Sequence, residues 1–198
     1  MSDEILSMKH DAILQAAHLL FIQQGYHGTS MRQVANQAGV SLGGLYNHFP
    51  RGKEQIFEED FLKNHPYHEI LPALLAAQGE NVESFVRDAA NRLLHSLEDH
   101  PDFLNLMFIE LVEFNSVHVS QLFTMLVPQG LEIARRFAAV GGQRLRPIPP
   151  AMLIRSFLGL FFSYYMTELI IRPVSPPEFL QGAMDHFVDI YLHGILAT

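Results

Sequence analysis

The chain has 198 residues, 48% of them apolar, no cysteine and a formal net charge of −8. That length accommodates a small domain plus a larger one with its own core, and the composition excludes a disordered chain. The absence of cysteine excludes disulfides, thiolate metal sites and thiol nucleophiles. Net acidity argues against a nucleic-acid partner when taken as one number, so the placement of the charges matters more. From Ala12 to Lys53 there is no Asp or Glu, although the chain carries 21 of them. Arg32, Arg51, Lys53, His18, His27 and His48 lie in that stretch. A surface without carboxylates is what contact with phosphate requires.

Met1 to Met8 is acidic and has no apolar run, so it does not read as a secretory signal. Lys9 to Gln24 places Ile13, Ala16, Ala17, Leu20 and Phe21 at helical spacing on one face, and Gly25 ends that helix. Thr29 or Ser30 caps a second helix running to about Ala38, with Met31, Val34, Ala35 and Ala38 inward. Gly39 supplies the positive φ of a tight turn, and Val40 plugs it. Ser41 caps a third helix through His48, with Leu45 and Phe49 facing the core, and Pro50 stops it. Lys53 to Asn64 is a fourth helix with Ile56, Phe57, Phe61 and Leu62 inward.

The remainder also reads as helices: 66–77, 82–100, 102–114, 118–139, 151–171 and 177–196. A Gly/Pro loop occupies 140–150, and Pro173, Pro176 and Pro177 break the chain again. The stretch 152–171 is the most apolar, but Arg155 and Glu168 leave too few uncharged residues for a spanning helix of roughly 20. It reads as a buried or interface helix. The expected fold is all-α. An N-terminal three-helix domain is expected over residues 1–52, its carboxylate-free surface suited to binding DNA, and a C-terminal helical domain over 53–198, apolar enough to serve ligand binding and dimerisation.

Residues 29–49 have helix-turn-helix spacing: a helix, a Gly turn and a second short helix. Their identities carry more. Thr29-Ser30-Met31, Val34-Ala35, Ala38-Gly39-Val40-Ser41, Gly44-Leu45-Tyr46, His48-Phe49 and Lys53, preceded by Ile13 and Gly25-Tyr26, resemble the N-terminal domain of the TetR family of bacterial transcriptional regulators. The resemblance covers about residues 9–63. Beyond residue 64 it extends only to length and helical character.

The resemblance implies a homodimer on a palindromic double-stranded DNA operator, with no catalysis and no cofactor. It implies phosphate contacts from Thr29, Ser30 and Ser41 through hydroxyls and helix N-terminal amides, from Tyr46 and His48, and from Lys53. Leu42, Gly43 and Gly44 fall at the start of the recognition helix, which faces base edges. Here the sequence departs from the polar residues often found in the family. Leu42 offers one apolar contact of the kind a thymine methyl takes, and the two glycines offer bare backbone. Arg32 and Asn47 are then the side chains left to read bases, with Gln33 beside them. The glycine pair costs roughly 1 kcal/mol per residue against Ala. It reads either as close backbone approach to DNA or as a mobile helix.

In the C-terminal part, Phe103, Met107, Phe108, Phe123, Phe161, Tyr164 and Tyr165 are candidate lining for a small apolar or aromatic effector. His118, Gln121 and Glu168 are candidate polar groups to orient it. A stripe of Ile154, Leu158, Phe161 and Tyr165, with Phe179, Ala183, Phe187, Ile190 and Gly194, reads as a dimer seam on the last two long helices. His65, His68 and Glu69, and Asp185, Asp189 and His193, sit at metal-like spacings but complete no known site, so no metal is expected. HExxH, Walker A, GxSxG and GxGxxG motifs are absent. The expected location is the cytoplasm, away from membranes. The competing reading is a helical protein that binds an apolar small molecule or a protein partner and no DNA. The carboxylate-free stretch with Tyr46, His48 and Lys53 separates the two. A regulator without a ligand is a further alternative.

Overall fold

A computed structural model describes residues 2–197. The side chains of residues 1–5 and 198 lie outside that description, and with them part of the Met1–Met8 segment read above. The chain folds into helices α1 (Ser2–Gly28), α2 (Met31–Gln37), α3 (Leu42–His48), α4 (Lys53–Asn64), α5 (Tyr67–Leu75), α6 (Val82–Glu98), α7 (Phe103–Glu113), α8 (Val117–Gly141), α9 (Pro150–Ile171), α10 (Pro177–Leu180) and α11 (Ala183–Ile195). The only extended pairing among the described residues is an isolated bridge between Leu145 and Leu196. The fold is all-α, as expected.

These helices form two compact units. The first comprises residues 1–65 and 100–124. Its core is built by helical stripes: Ile13, Ala16, Ala17, Leu20 and Phe21 from α1, and Ile56, Phe57 and Phe61 from α4. Val34, Ala35, Leu45 and Phe49 come from the segment between them. Leu106 of α7 and Val119 of α8 complete it. The Phe114 ring stacks on Phe57 at 4.6 Å, and Phe21 meets Phe57 edge-on at 5.6 Å. The boundary expected after residue 52 therefore falls inside this unit. The apolar face of α4 lies under α1, and no separate core begins at Lys53.

The second unit comprises residues 66–99 and 125–198. Its centre is a chain of rings: Phe85 meets Phe137 at 4.9 Å, Phe137 meets Phe157 at 5.0 Å, and Phe157 meets Phe161 at 4.8 Å and Tyr191 at 5.6 Å. Buried phenols need partners. Tyr165 donates to the Leu97 carbonyl at 3.0 Å and Tyr191 to the Leu153 carbonyl at 2.7 Å. By length and composition α9 is apolar enough to cross a membrane. In this fold it buries Leu153, Ile154, Phe157, Phe161 and Tyr165 on one face.

Two expectations change here. The last helix is not continuous from 177 to 196. Gln181 is extended and Gly182 adopts a left-handed φ of 70°, which separates α10 from α11. The seam on α9 is also turned. Ile154, Phe161 and Tyr165 face inward, while Met152, Gly159, Leu169 and Ile170 face solvent. On α11, Ile190 and Gly194 are exposed and Phe187 is half-buried.

Candidate nucleic-acid interface

The entry to the reading head is set by Gly25, whose φ of 75° kinks α1 near its end. Beyond the kink, Thr29 is buried and its hydroxyl donates to the Gly25 carbonyl at 2.9 Å. Ser30 then opens α2 with a capping box. Its hydroxyl accepts from the Gln33 amide at 3.3 Å, and the Gln33 side-chain oxygen accepts from the Ser30 amide at 2.8 Å. Two of the orphan donors at the helix start are thereby satisfied. Gly39 makes the turn with φ 67°, and the Val40 amide donates back to the Ala35 carbonyl at 3.0 Å. Ser41 caps α3 by accepting from the Gly44 amide at 3.0 Å, which leaves its O–H free to donate.

The outward face of α2 and α3 presents Arg32, Gln33, Ser41, Leu42, Gly43, Tyr46 and Asn47, all exposed. The Gln33 oxygen is used in the cap, so its NH₂ is the part left to face outward. Arg32 has no recorded partner among the described residues. Tyr46 is 45% exposed, and its ring edge lies over Gly52, where an added Cβ would sit 3.7 Å from it. It is a surface phenol and not a core aromatic. His48 is half-buried, its ring 6.2 Å from that of His10. The two glycines differ. A Cβ on Gly44 would meet the Ser41 hydroxyl at 3.1 Å, so the cap itself requires a small residue there. A Cβ on Gly43 would meet nothing within 4 Å.

Two of the expected phosphate ligands are committed inside the protein. Thr29 is buried and bonded as described. Lys53 Nζ donates to the carbonyls of Tyr26 and Thr29 at 2.7 and 2.8 Å and lies 4.1 Å from the centre of the Tyr26 ring. The ammonium thus covers the carbonyl end of α1, where its charge complements the helix dipole. Burial pushes its pKa below the ordinary value, against the pull of Glu113. Arg51 is likewise paired, with Glu58 at 2.5 Å. What distinguishes this surface is its lack of negative charge more than a supply of free cations. Sequence reasoning missed Tyr26 as the cradle for Lys53. It also missed His10, which stacks on Phe49 at 4.5 Å and pairs with Glu59 at 2.9 Å. Both contacts join residues far apart in sequence, so no local pattern marks them.

The expected effector residues do not gather within either unit. Phe103 is buried and Met107 half-buried in the first unit, where Phe108 and Phe123 are exposed. Phe161 and Tyr165 are buried in the second unit, where Tyr164 packs its ring 5.0 Å from Phe187. His118 is taken up by Glu110 at 2.7 Å and Glu168 by Arg172 at 3.1 Å. Among the described residues no cluster of three or more His, Asp and Glu is arranged to hold a metal ion. Asp185 pairs with Arg87, and the His193 ring donates to the Asp189 carbonyl at 2.7 Å.

Comparison with known proteins matches residues 13–59 to the family described as "Bacterial regulatory proteins, tetR family". That segment spans the α1 core stripe, the capped turn and most of α4. Over these residues the chain is similar to the TetR family. Among curated TetR-like relatives, the HTH-type transcriptional regulator LmrA of Bacillus subtilis is 35% identical over 82 residues, covering 39% of this chain and 44% of LmrA. The HTH-type transcriptional repressor KstR2 of Mycolicibacterium smegmatis is 42% identical over 57 residues, 27% of each chain. These matches span less than half the length of either relative. A crystal structure of a TetR-family transcription regulator from Shewanella sp. PV-4 superposes with a TM-score of 0.66 at 25% identity, covering 96% of this chain and 99% of that one. The likeness in fold thus extends over the C-terminal unit as well.

Proposed function

We propose that this protein is a homodimeric transcriptional repressor that binds a palindromic double-stranded operator through α2 and α3 and is released by a small apolar or aromatic ligand. One observation carries the DNA-binding half. The stretch without carboxylates, Ala12–Lys53, folds as a capped helix-turn-helix whose exposed face is Arg32, Gln33, Ser41, Leu42, Gly43, Tyr46 and Asn47. Ser41, Tyr46 and His48 supply phosphate donors, and Ser30 lends the amide end of α2. Arg32 and Asn47 read base edges, with the Gln33 NH₂ between them. Leu42 and the bare backbone of Gly43 and Gly44 lie nearest the groove floor.

Dimerisation is supported by the exposed apolar positions Met152, Leu169 and Ile170 of α9 and Ile190 of α11. Large exposed apolar side chains of this kind are common at association surfaces. Two-fold pairing then places two recognition helices about 34 Å apart, one turn of B-DNA. The effector half is supported by the aromatic content of α9, where Tyr164 is only half-buried beside Phe187. The ligand must favour one of two conformers to act.

The test is binding of random-sequence duplex DNA across a salt series. Wild-type affinity should fall steeply with salt, and Arg32→Ala should weaken binding several-fold with the dimer intact. No DNA binding at low salt would remove the reading in favour of a helical protein with other partners. An apolar compound library that neither raises stability nor releases bound DNA would remove the effector half alone.

A further inference from the structure

Residues 100–124 belong to the first unit, while the chain on both sides of them belongs to the second. They comprise α7 and the start of α8. The chain therefore enters and leaves the DNA-binding unit at the two ends of this segment, and how α7 is fastened there matters for any signal carried along the chain.

The middle of α7 is held by apolar packing through Leu106 and its neighbours. Its ends meet α1 through histidines. At the C-terminal end, Glu113 pairs with His27 at 2.5 Å, but that imidazole is 79% exposed and solvent screens the pair. At the N-terminal end, His18 sits between two carboxylates. Its Nδ1 is 3.1 Å from Asp60 of α4, and its Nε2 is 3.3 Å from Asp102, the residue before α7. A neutral imidazole has one N–H, so it donates to one carboxylate and turns a lone pair on the other. Only imidazolium satisfies both. The two carboxylates are not equivalent. Asp60 is buried, with its second oxygen accepting from Asn64 at 2.8 Å. The Asp102 side chain is 46% exposed and can turn to water.

We propose that His18 is a proton-dependent latch that fastens α7 to the DNA-binding helices and so makes DNA affinity depend on pH. The latch is closed when imidazolium bridges Asp60 and Asp102. It opens at Asp102 when the ring is neutral, because the buried Asp60 keeps the remaining N–H. Few other charges face the cluster. From α4, Lys63 acts on Asp60 but is itself paired with Asp11 of α1 at 2.7 Å. The Asn64 amide lies 3.4 Å from Nδ1. From the α7 side the facing charge is Asp102. The hydrogen bond to Asp60, with that to Asp102 behind it, holds the imidazole above its ordinary value, against the effect of burial. A raised folded-state value means that the latch is fully closed below about pH 6.5 and opens as pH rises through that raised value.

The latch needs only the geometry of the first unit, while its effect on DNA rests on the proposed function. The test is backbone hydrogen exchange of α7 in the full chain at pH 6 and pH 8.5, corrected for intrinsic exchange, in wild type and Asp102→Asn. Wild-type α7 should lose protection at the higher pH. Asp102→Asn, a change at a half-exposed position, should show no such step. It pairs with either form of the ring. Equal pH dependence in the two proteins, or none in wild type, would overturn the latch. In parallel, the ratio of DNA affinities at the two pH values should differ between wild type and Asp102→Asn. Equal ratios would overturn the regulatory role. If neither protein bound DNA at any pH, the proposed function would fail, while the exchange result would still decide whether the latch exists.

Discussion

Along α2 and α3 the exposed positions other than Leu42 are polar or bare: Arg32, Gln33, Ser41, Gly43, Tyr46 and Asn47. Along α9 and α11 polar groups such as Arg155, Ser163, Asp185 and Asp189 alternate with large apolar ones: Met152, Phe162, Leu169, Ile170 and Ile190. The first surface is shaped by caps, each a bond between residues three or four apart, and it keeps donors pointed outward. The second is shaped by the rotation of a long helix around an aromatic core, and it leaves carbon pointed outward. Water is a good solvent for the first surface and a poor one for the second. The proposed partners differ accordingly: a highly charged polymer that replaces water at the donors of the first, and another copy of the same helices at the second.

The largest effect should come from the core beneath the reading head. Phe57→Ala removes a fully buried ring that touches Phe21, Phe61 and Phe114. It should cost about 3–5 kcal/mol, read by denaturant unfolding, and abolish DNA binding with it. Next, Ile190→Asp places a charge on the apolar stripe. Sedimentation should show monomer, from a loss of about 2–4 kcal/mol if Ile190 lies at the interface centre, with the fold of each subunit intact. A dimer of unchanged strength would place the association surface elsewhere.

Lys53→Met is intermediate and separates two roles. Since the ammonium covers the Tyr26 and Thr29 carbonyls, its loss should lower stability by about 1–3 kcal/mol. Lost DNA affinity at full stability would instead make Lys53 a phosphate ligand. Tyr46→Ala should do the reverse: DNA affinity falls about tenfold on all sequences, while thermal unfolding moves little because the ring is half in solvent. The smallest effect contrasts the glycines. Gly43→Ala should gain up to about 1 kcal/mol of stability, its Cβ having open space. Gly44→Ala should gain less, because its Cβ crowds the Ser41 cap. Weaker DNA binding by a stabilised Gly43→Ala would favour close backbone approach over helix mobility as the reason for the glycine.

The same contrast explains what was legible in the sequence. The caps at Ser30 and Ser41, the Gly39 turn and the inward residues Val34, Ala35, Leu45 and Phe49 are short-range features, and each stands where spacing puts it. Helix α9 is apolar almost all round, so periodicity does not fix its rotation. Ile154, Phe161 and Tyr165 consequently moved from the seam to the core. Lys53 and Thr29 carry side chains suited to phosphate, but the carbonyls that claim them become neighbours only once Gly25 kinks α1. The effector residues were chosen by type, and type does not say which unit a ring joins.

The central claim is that the carboxylate-free face of α2 and α3 reads a two-fold operator. Selection of bound sequences from a random duplex pool tests it most directly. The account predicts enrichment of an inverted repeat whose half-sites are centred about 34 Å apart, one helical turn, and loss of that enrichment with Arg32→Ala. A pool that stays random after repeated rounds, with the wild-type protein folded and dimeric, would contradict it.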